Sequence, residues 1–232
     1  YKRQTNTVWV GDVKYKDISG PDGVPDGVID DYDKTNIGSP MPKFTFGWTN
    51  TFRYKNFDLS VFINGSYGNK VYNYLSMKLT HMNSPWTNQL NAVNGRAQLV
   101  PINPNKVYED GTMWYNDVSN VMVANPGASI PRATINDPND NDRISDRYIE
   151  DGSYIRLKNI SLGYTFPKKT IDKLGLSNLR IYANIQNLLT ITGYDGYDPE
   201  IGASTSSVNV YGLDNGRYPS PTVYSFGLNV SF

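Results

Sequence analysis

Between Asp17 and Asp33 the chain carries a run of carboxylates whose spacing suits a hard cation. With Asp22 as the first ligand of a calcium loop, Asp26 falls at position five and Gly27 at six. The Val28 carbonyl then stands at seven, Asp30 at nine and Asp33 at twelve. Oxygen ligands at those intervals wrap around Ca2+, and the glycine permits the sharp turn between them. Position three is Val24, which offers no carboxylate, and position twelve is Asp in place of Glu. Asp17 becomes the first ligand instead if Ser19–Pro25 bulges out. An Asp/Gly-rich turn without metal is the alternative reading of loop 17–33.

Other chemistry is poorly provided for. The single His, His81, has no Ser or Cys motif to serve, and a surface position is expected for it. Glu150–Asp151 and Asp198–Glu200 are acid pairs of the type glycosidases use, but carboxylate separation is not a property of sequence. The expectation is a protein that is not an enzyme. With 22 basic and 22 acidic residues the net charge is zero, and no basic stripe with interleaved aromatics invites nucleic acid. There is no glycine-rich phosphate loop. The absence of Cys removes disulfides and thiolate metal sites alike. Aromatic residues do gather where no apolar pattern explains them. Trp86, Trp114, Tyr115, Tyr194, Tyr197 and Tyr211 are the candidates for contacting a substrate or partner, with Tyr72, Tyr74, Tyr108 and Tyr218 of the same kind. Their faces stack on sugar rings or peptide side chains, unless they simply pack loop on loop.

These loop residues need a scaffold, and the scaffold reads as β. Aromatics make up 13% of the 232 residues, with 18 Tyr, while mean hydropathy is only −0.51. Such a composition fits sheets with one wet and one apolar face. From Thr222 to Phe232 the even positions are Tyr224, Phe226, Leu228, Val230 and Phe232, against Ser225, Gly227, Asn229 and Ser231. That is period-two alternation over the ~10 residues with which a tilted strand crosses a bilayer. Similar alternation predicts strands at 44–54, 56–65, 154–166 and 178–189. Phe62 interrupts the second, and a phase change in the third predicts a bulge near Lys158–Asn159. Rings stand at strand ends (Phe44, Tyr54, Tyr164, Phe166, Tyr224, Phe232), where membrane interfaces favour them. No stretch reaches the ~18 apolar residues of a spanning helix.

Connections alternate short and long. Lys55–Asn56 and Pro167–Ser177, the latter with a helical turn at Lys169–Leu174, contrast with loops 11–42, 66–153 and 190–221. Short periplasmic turns and long extracellular loops are the signature of an outer-membrane barrel, and compact soluble domains rarely hold such long structureless loops. Val71–Met82 predicts a short helix, and Thr134–Arg147 a solvated Asp/Asn turn cluster. The fold class is therefore all-β: C-terminal strands of a large transmembrane antiparallel β-barrel with long extracellular loops. A soluble or surface-anchored β-sandwich that binds carbohydrate, and a passive porin, are the alternatives.

Several segments carry a resemblance. Gly11–Asp17 (GDVKYKD), Asp26–Asp30 (DGVID), Ile37–Pro40 (IGSP) and Phe57–Asn69 (FDLSVFINGSYGN) are similar to the SusC/RagA family of TonB-dependent outer-membrane transporters. So are Tyr154–Tyr164 (YIRLKNISLGY), Leu179–Tyr182 with Asn187–Leu188, and Tyr194–Glu200 (YDGYDPE). The resemblance implies a plugged barrel of roughly twenty-two strands, of which residues 1–232 are the C-terminal part and the plug lies outside. It implies location in the bacterial outer membrane, uptake of oligosaccharides or peptides driven through the TonB complex, and a SusD-like surface lipoprotein as lid. Other partners would be the lipid bilayer and the N-terminal plug with the remaining barrel. No cofactor is required beyond a possible Ca2+. The family's loop reads Asp-x-Asn-Gly-Asp-Gly, whereas here extra residues separate Asp17 from Asp26.

Overall fold

A computed structural model describes residues 7–201 and 210–232. In chain order the elements are β1 (Phe44–Tyr54), β2 (Phe57–Tyr67), β3 (Lys70–Asn73), α1 (Tyr74–Thr80), β4 (Leu99–Pro101) and β5 (Val121–Val123). There follow β6 (Ile149–Asp151), β7 (Tyr154–Thr165), α2 (Lys168–Ile171), β8 (Asn178–Thr192), β9 (Leu213–Asp214) and β10 (Val223–Ser231). The chain divides into two units, Tyr1–Ile37 with Leu75–Tyr148, and Gly38–Tyr74 with Ile149–Phe232.

The second unit is built on a five-stranded sheet in the order β1-β2-β7-β8-β10, every neighbour antiparallel. Strand limits fall within a few residues of those read from the alternation. The register shows why the alternation exists. Leu59, Leu162, Ala183 and Phe226 line up across β2, β7, β8 and β10, and Val61, Ile160, Ile185 and Tyr224 form the next row. On the opposite face Ser60, Ser161, Asn184 and Ser225 align. The apolar face stays uncovered: Phe226 is 84% exposed and Leu228 60%. A sandwich would bury those side chains under a second sheet.

Rings stack at both ends of this face. Phe44 meets Tyr67 at 5.4 Å where the long loops attach, and Phe57 meets Tyr164 at 4.7 Å beside the short turns. The bulge appears where the phase changes. Lys158 of β7, with Asn187 and Leu188 of β8, drops out of the ladder, and Asn187 takes a φ of 52°. The slip returns Ile155 to the face that carries Leu162, each 48% exposed. Phe62, which breaks the pattern, lies on the polar face with its ring against Gly47, where a Cβ would stand 3.2 Å from it.

One expectation about the connections holds and one changes. Lys168–Leu174 is helical as read, in an α turn followed by a 3-10 turn. The Val71–Met82 helix is shorter, because Lys70–Asn73 is captured as a strand between β6 and β9. Only Tyr74–Thr80 is left to coil.

One ion pair on the polar face ties three strands together. Arg180 of β8 donates to Asp58 of β2 twice, Nε to Oδ1 at 3.1 Å and Nη2 to Oδ2 at 2.6 Å. The bridge passes over Gly163 of the intervening β7, where any Cβ would overlap both partners. Gly163→Val is therefore expected to open the bridge and lower stability by about 1.5–3 kcal/mol, the range for hydrogen bonds to charged groups. Gly193→Val, at a position with open space around it, should cost much less. Urea unfolding of the refolded protein compares the two.

Candidate functional site

The long connections are held by buried polar clasps, and these define what the loops can present. In the strand-bearing unit, Arg156 of β7 is 2% exposed and points into the connection that follows β8. Its Nη2 donates to Asp198 Oδ1 at 2.5 Å, its Nη1 to Glu200 Oε2 at 2.6 Å and its Nε to Thr190 Oγ1 at 2.8 Å. Lys158, freed from the ladder by the bulge, adds a 3.0 Å contact to Glu200. Asp198 also accepts the Ser220 and Glu200 amides. Burial alone would raise the Asp198 carboxyl, but these backbone donors and Arg156 outweigh it and hold it at about 2. Asp198 and Glu200 are thus an arginine's counter-ions, and their acid-pair chemistry is spent on structure.

Tyr194 belongs to the same architecture. Expected to face a substrate, it is instead 5% exposed, its hydroxyl donating to buried Asp214 at 2.5 Å. Burial and the adjacent carboxylate push its hydroxyl pKa well up. Tyr197 and Tyr211 do reach the surface, at 64% and 56% exposure. The loop 190–221 lies partly outside the described residues.

In the other unit the Thr134–Arg147 segment is the reverse of a solvated cluster. Asp137, Asn139 and Asn141 are buried, and each is hydrogen-bonded. Asn141 Oδ1 accepts the Val13 amide at 2.8 Å, and its Nδ2 bridges to Asp12 Oδ1 at 3.2 Å. Asp12 in turn pairs with Arg132 at 2.8 Å. Asp137 Oδ1 accepts Asn141 Nδ2 at 2.6 Å. His81, expected on the surface, is buried between Asp137 (Nε2 to Oδ2, 2.7 Å) and Asp142 (Nδ1 to Oδ2, 3.2 Å). The sequence signal was composition: short Asn and Asp side chains satisfy backbone groups where no sheet can, and tolerate the positive φ seen at Asn136, Asp137 and Asp140.

The acids of loop 17–33 are engaged by the backbone. Asp17 Oδ2 accepts the Gly27 amide, Asp26 Oδ1 the Val28 amide and Asp30 Oδ1 the Tyr32 amide. Asp33 accepts from Ile18, Ser19 and Asp30, and these donors pull its carboxyl below the usual range. Asp22 is exposed. Asp17 Oδ1 is buried with no hydrogen-bond partner. Among the described residues the one trio of His, Asp or Glu ligand atoms drawn together is His81, Asp137 and Asp142. Trp86 is 92% exposed, and Tyr115 is exposed beside half-buried Trp114, the two rings meeting edge to face at 5.6 Å.

A twisted antiparallel sheet with one apolar, ring-bordered face, one polar face and long loops at one end defines a section of a transmembrane β-barrel. No family model matches the chain. It is 36% identical over 89% of its length to TonB-dependent receptor P3 of Formosa agariphila, and 33% identical over 96% to P26 of the same organism. TonB-dependent receptor SusC of Bacteroides thetaiotaomicron is 29% identical over 89% of the chain. Solved structures of the RagAB peptide importer share the fold, one closed-closed state covering 92% of the chain and 20% of that structure's chain at 19% identity with a TM-score of 0.59. Over most of its length the chain is thus similar to TonB-dependent receptors, SusC among them. It spans 18% and 20% of the lengths of the two Formosa relatives. Its named relatives are receptors, not enzymes.

The clasp makes a pH-dependent prediction. Because the folded Asp198 pKa lies below its ordinary 3.8, its stabilisation is complete above that value and is lost as pH falls towards 2. Hydrogen exchange at the Ser220 and Glu200 amides, taken relative to the intrinsic rate at each pH, should be flat from neutrality down to about pH 5 and accelerate below about pH 4. Arg156→Met should accelerate it at neutral pH, since breaking a buried pair costs about 3–5 kcal/mol.

Proposed function

We propose that this chain forms C-terminal strands and outer loops of an outer-membrane importer that takes up oligosaccharides or peptides. Uptake is energised through TonB and assisted by a SusD-like surface lipoprotein over the loops. Support comes from kinship with TonB-dependent receptors, which are outer-membrane proteins, and from the likeness to a peptide importer. The observation that carries the reading is the uncovered apolar face with rings at both ends. In this reading the β1-β2-β7-β8-β10 sheet is a sector of the wall, its apolar face meets lipid and its polar face meets the lumen or plug. The connections 11–42, 66–153 and 190–221 stand outside the cell, where Trp86, Trp114, Tyr115, Tyr197 and Tyr211 serve substrate or lid. The short turns at Lys55–Asn56 and around α2 face the periplasm.

Phe226→Arg tests the wall. An Arg on the lipid face near the bilayer midplane costs about 2–4 kcal/mol. The full receptor carrying it should lose the heat-modifiable mobility of an assembled barrel, while Ser225→Arg on the polar face should not. Equal assembly of both variants overturns the lipid-facing assignment. Co-purification of a surface lipoprotein with the wild-type receptor from detergent-solubilised membranes tests the lid.

A calcium ion within Asp17–Asp33 is part of the same proposal, supported by the orphaned Asp17 Oδ1. Asp17, Asp22, Asp26, Asp30, Asp33 and the Val28 carbonyl would supply oxygen ligands. Millimolar calcium should then raise the thermal midpoint of chelator-treated receptor, and Asp17→Asn should abolish the rise. No shift in the wild type would leave the loop as a hydrogen-bonded turn.

A further inference from the structure

The loop-rich unit of Tyr1–Ile37 and Leu75–Tyr148 contains a cleft of about 930 Å³ whose lining includes Trp9, Trp114, Tyr115, Arg96, Gln98 and Arg132. Its aromatic wall is fixed before any ligand arrives. The Trp9 indole N–H donates to the Tyr115 carbonyl at 3.0 Å. Trp114 and Tyr115 sit on a 3-10 turn closed by Asp117, whose amide donates to the Trp114 carbonyl. Asp117 is itself pinned by Lys106 at 2.5 Å and by the Tyr108 hydroxyl at 2.9 Å.

No Asp or Glu lines the cleft among the described residues, and its two guanidinium groups are not equivalent. Arg132 is neutralised by Asp12 at 2.8 Å. Half-buried Arg96 donates only a long 3.4 Å bond to the Val93 carbonyl and, among the described residues, has no carboxylate within 4.0 Å. A cation without a counter-ion, beside fixed aromatic faces and the Gln98 amide, calls for an anionic ligand with flat apolar patches. The backbone argues against a peptide. The amides of Ala97, Gln98, Arg132 and Thr134 are already bonded to Ile130, Asn125, Gly11 and Met82, so no free strand edge is offered to an extended chain. Pyranose rings need none; they stack on aromatic faces and take hydrogen bonds from side chains.

We propose that this cleft binds an acidic oligosaccharide, with Arg96 holding its carboxylate or sulfate and the Trp9–Trp114–Tyr115 wall stacking its rings. The proposal deepens the importer reading by naming the substrate class, and it rests on that reading. Calorimetric titration of the full receptor in detergent tests it, using a hexameric oligogalacturonate, a sulfated hexasaccharide, an uncharged hexameric maltodextrin and an acidic hexapeptide as probes. One of the acidic saccharides should bind with an affinity that falls as salt is added, and the two acidic probes decide between carboxylate and sulfate. Arg96→Gln should weaken that binding about tenfold, one lost charge-assisted contact, and Trp114→Ala should weaken it similarly. Removing the charge from the bound saccharide should reproduce the Arg96→Gln loss without altering the protein. Equal binding of the maltodextrin, preference for the peptide, failure of both acidic saccharides, or indifference to Arg96→Gln would each overturn the proposal. Heat-modifiable mobility of the same preparation reports the barrel separately, so a receptor that assembles but ignores acidic saccharides sinks only the cleft.

Discussion

Hydrocarbon offers no hydrogen bonds, so each backbone N–H and C=O inside a membrane has to find its partner within the protein, at a cost of several kcal/mol when it does not. The five-stranded sheet follows from this constraint. Its interior strands β2 and β7 are laddered on both sides over nearly their whole length, and β8 over Arg180–Gln186. Among the described residues, β1 and β10 are the outer strands of that sheet, and the proposed barrel wall would pair their free edges with further strands. The side chains then sort themselves. In the proposed wall, rows such as Leu59–Leu162–Ala183–Phe226 meet an apolar solvent, whereas the opposite rows carry Ser, Asn and ion pairs.

Where backbone leaves the ladder, polar side chains take over its accounting. The bulge at Lys158 is the clearest instance. It keeps Ile155 and Leu162 on one face, and it releases a lysine that joins Arg156 in holding Glu200. Two segments far apart in sequence, Tyr154–Tyr164 and Tyr194–Glu200, thereby become one clasp. Such a clasp adds little net stability over an apolar contact of equal size, because desolvating charges offsets their attraction. It fixes geometry instead, and a connection bearing exposed aromatic residues such as Tyr197 depends on that.

The loop-rich unit solves the same problem without a sheet. Asp12, Asn139, Asn141 and Asp137 stand in for strands by accepting from and donating to main chain, and His81 closes the network between two carboxylates. A unit ordered in this way can hold Trp9, Trp114 and Tyr115 in fixed orientations. Fixed rings lose less freedom on meeting a ligand, which is how ordered loops gain affinity.

The sequence by itself determined the strands, their faces and the order of short and long connections. Period-two alternation is a local property, and Tyr224 to Phe232 displays it whatever lies nearby. The phase change at Lys158–Asn159 was equally local and marked the bulge. Only the tertiary structure decided the fate of the polar loop residues. Asp198 and Glu200 read as an acid pair until Arg156 paired with both, and Tyr194 read as a contact residue until Asp214 drew it inward. His81 read as a surface residue until Asp137 and Asp142 enclosed it. The Arg96 cleft was invisible for the same reason: whether a charge is paired depends on what the fold brings within a few ångströms, and that is set by contacts between residues distant in sequence.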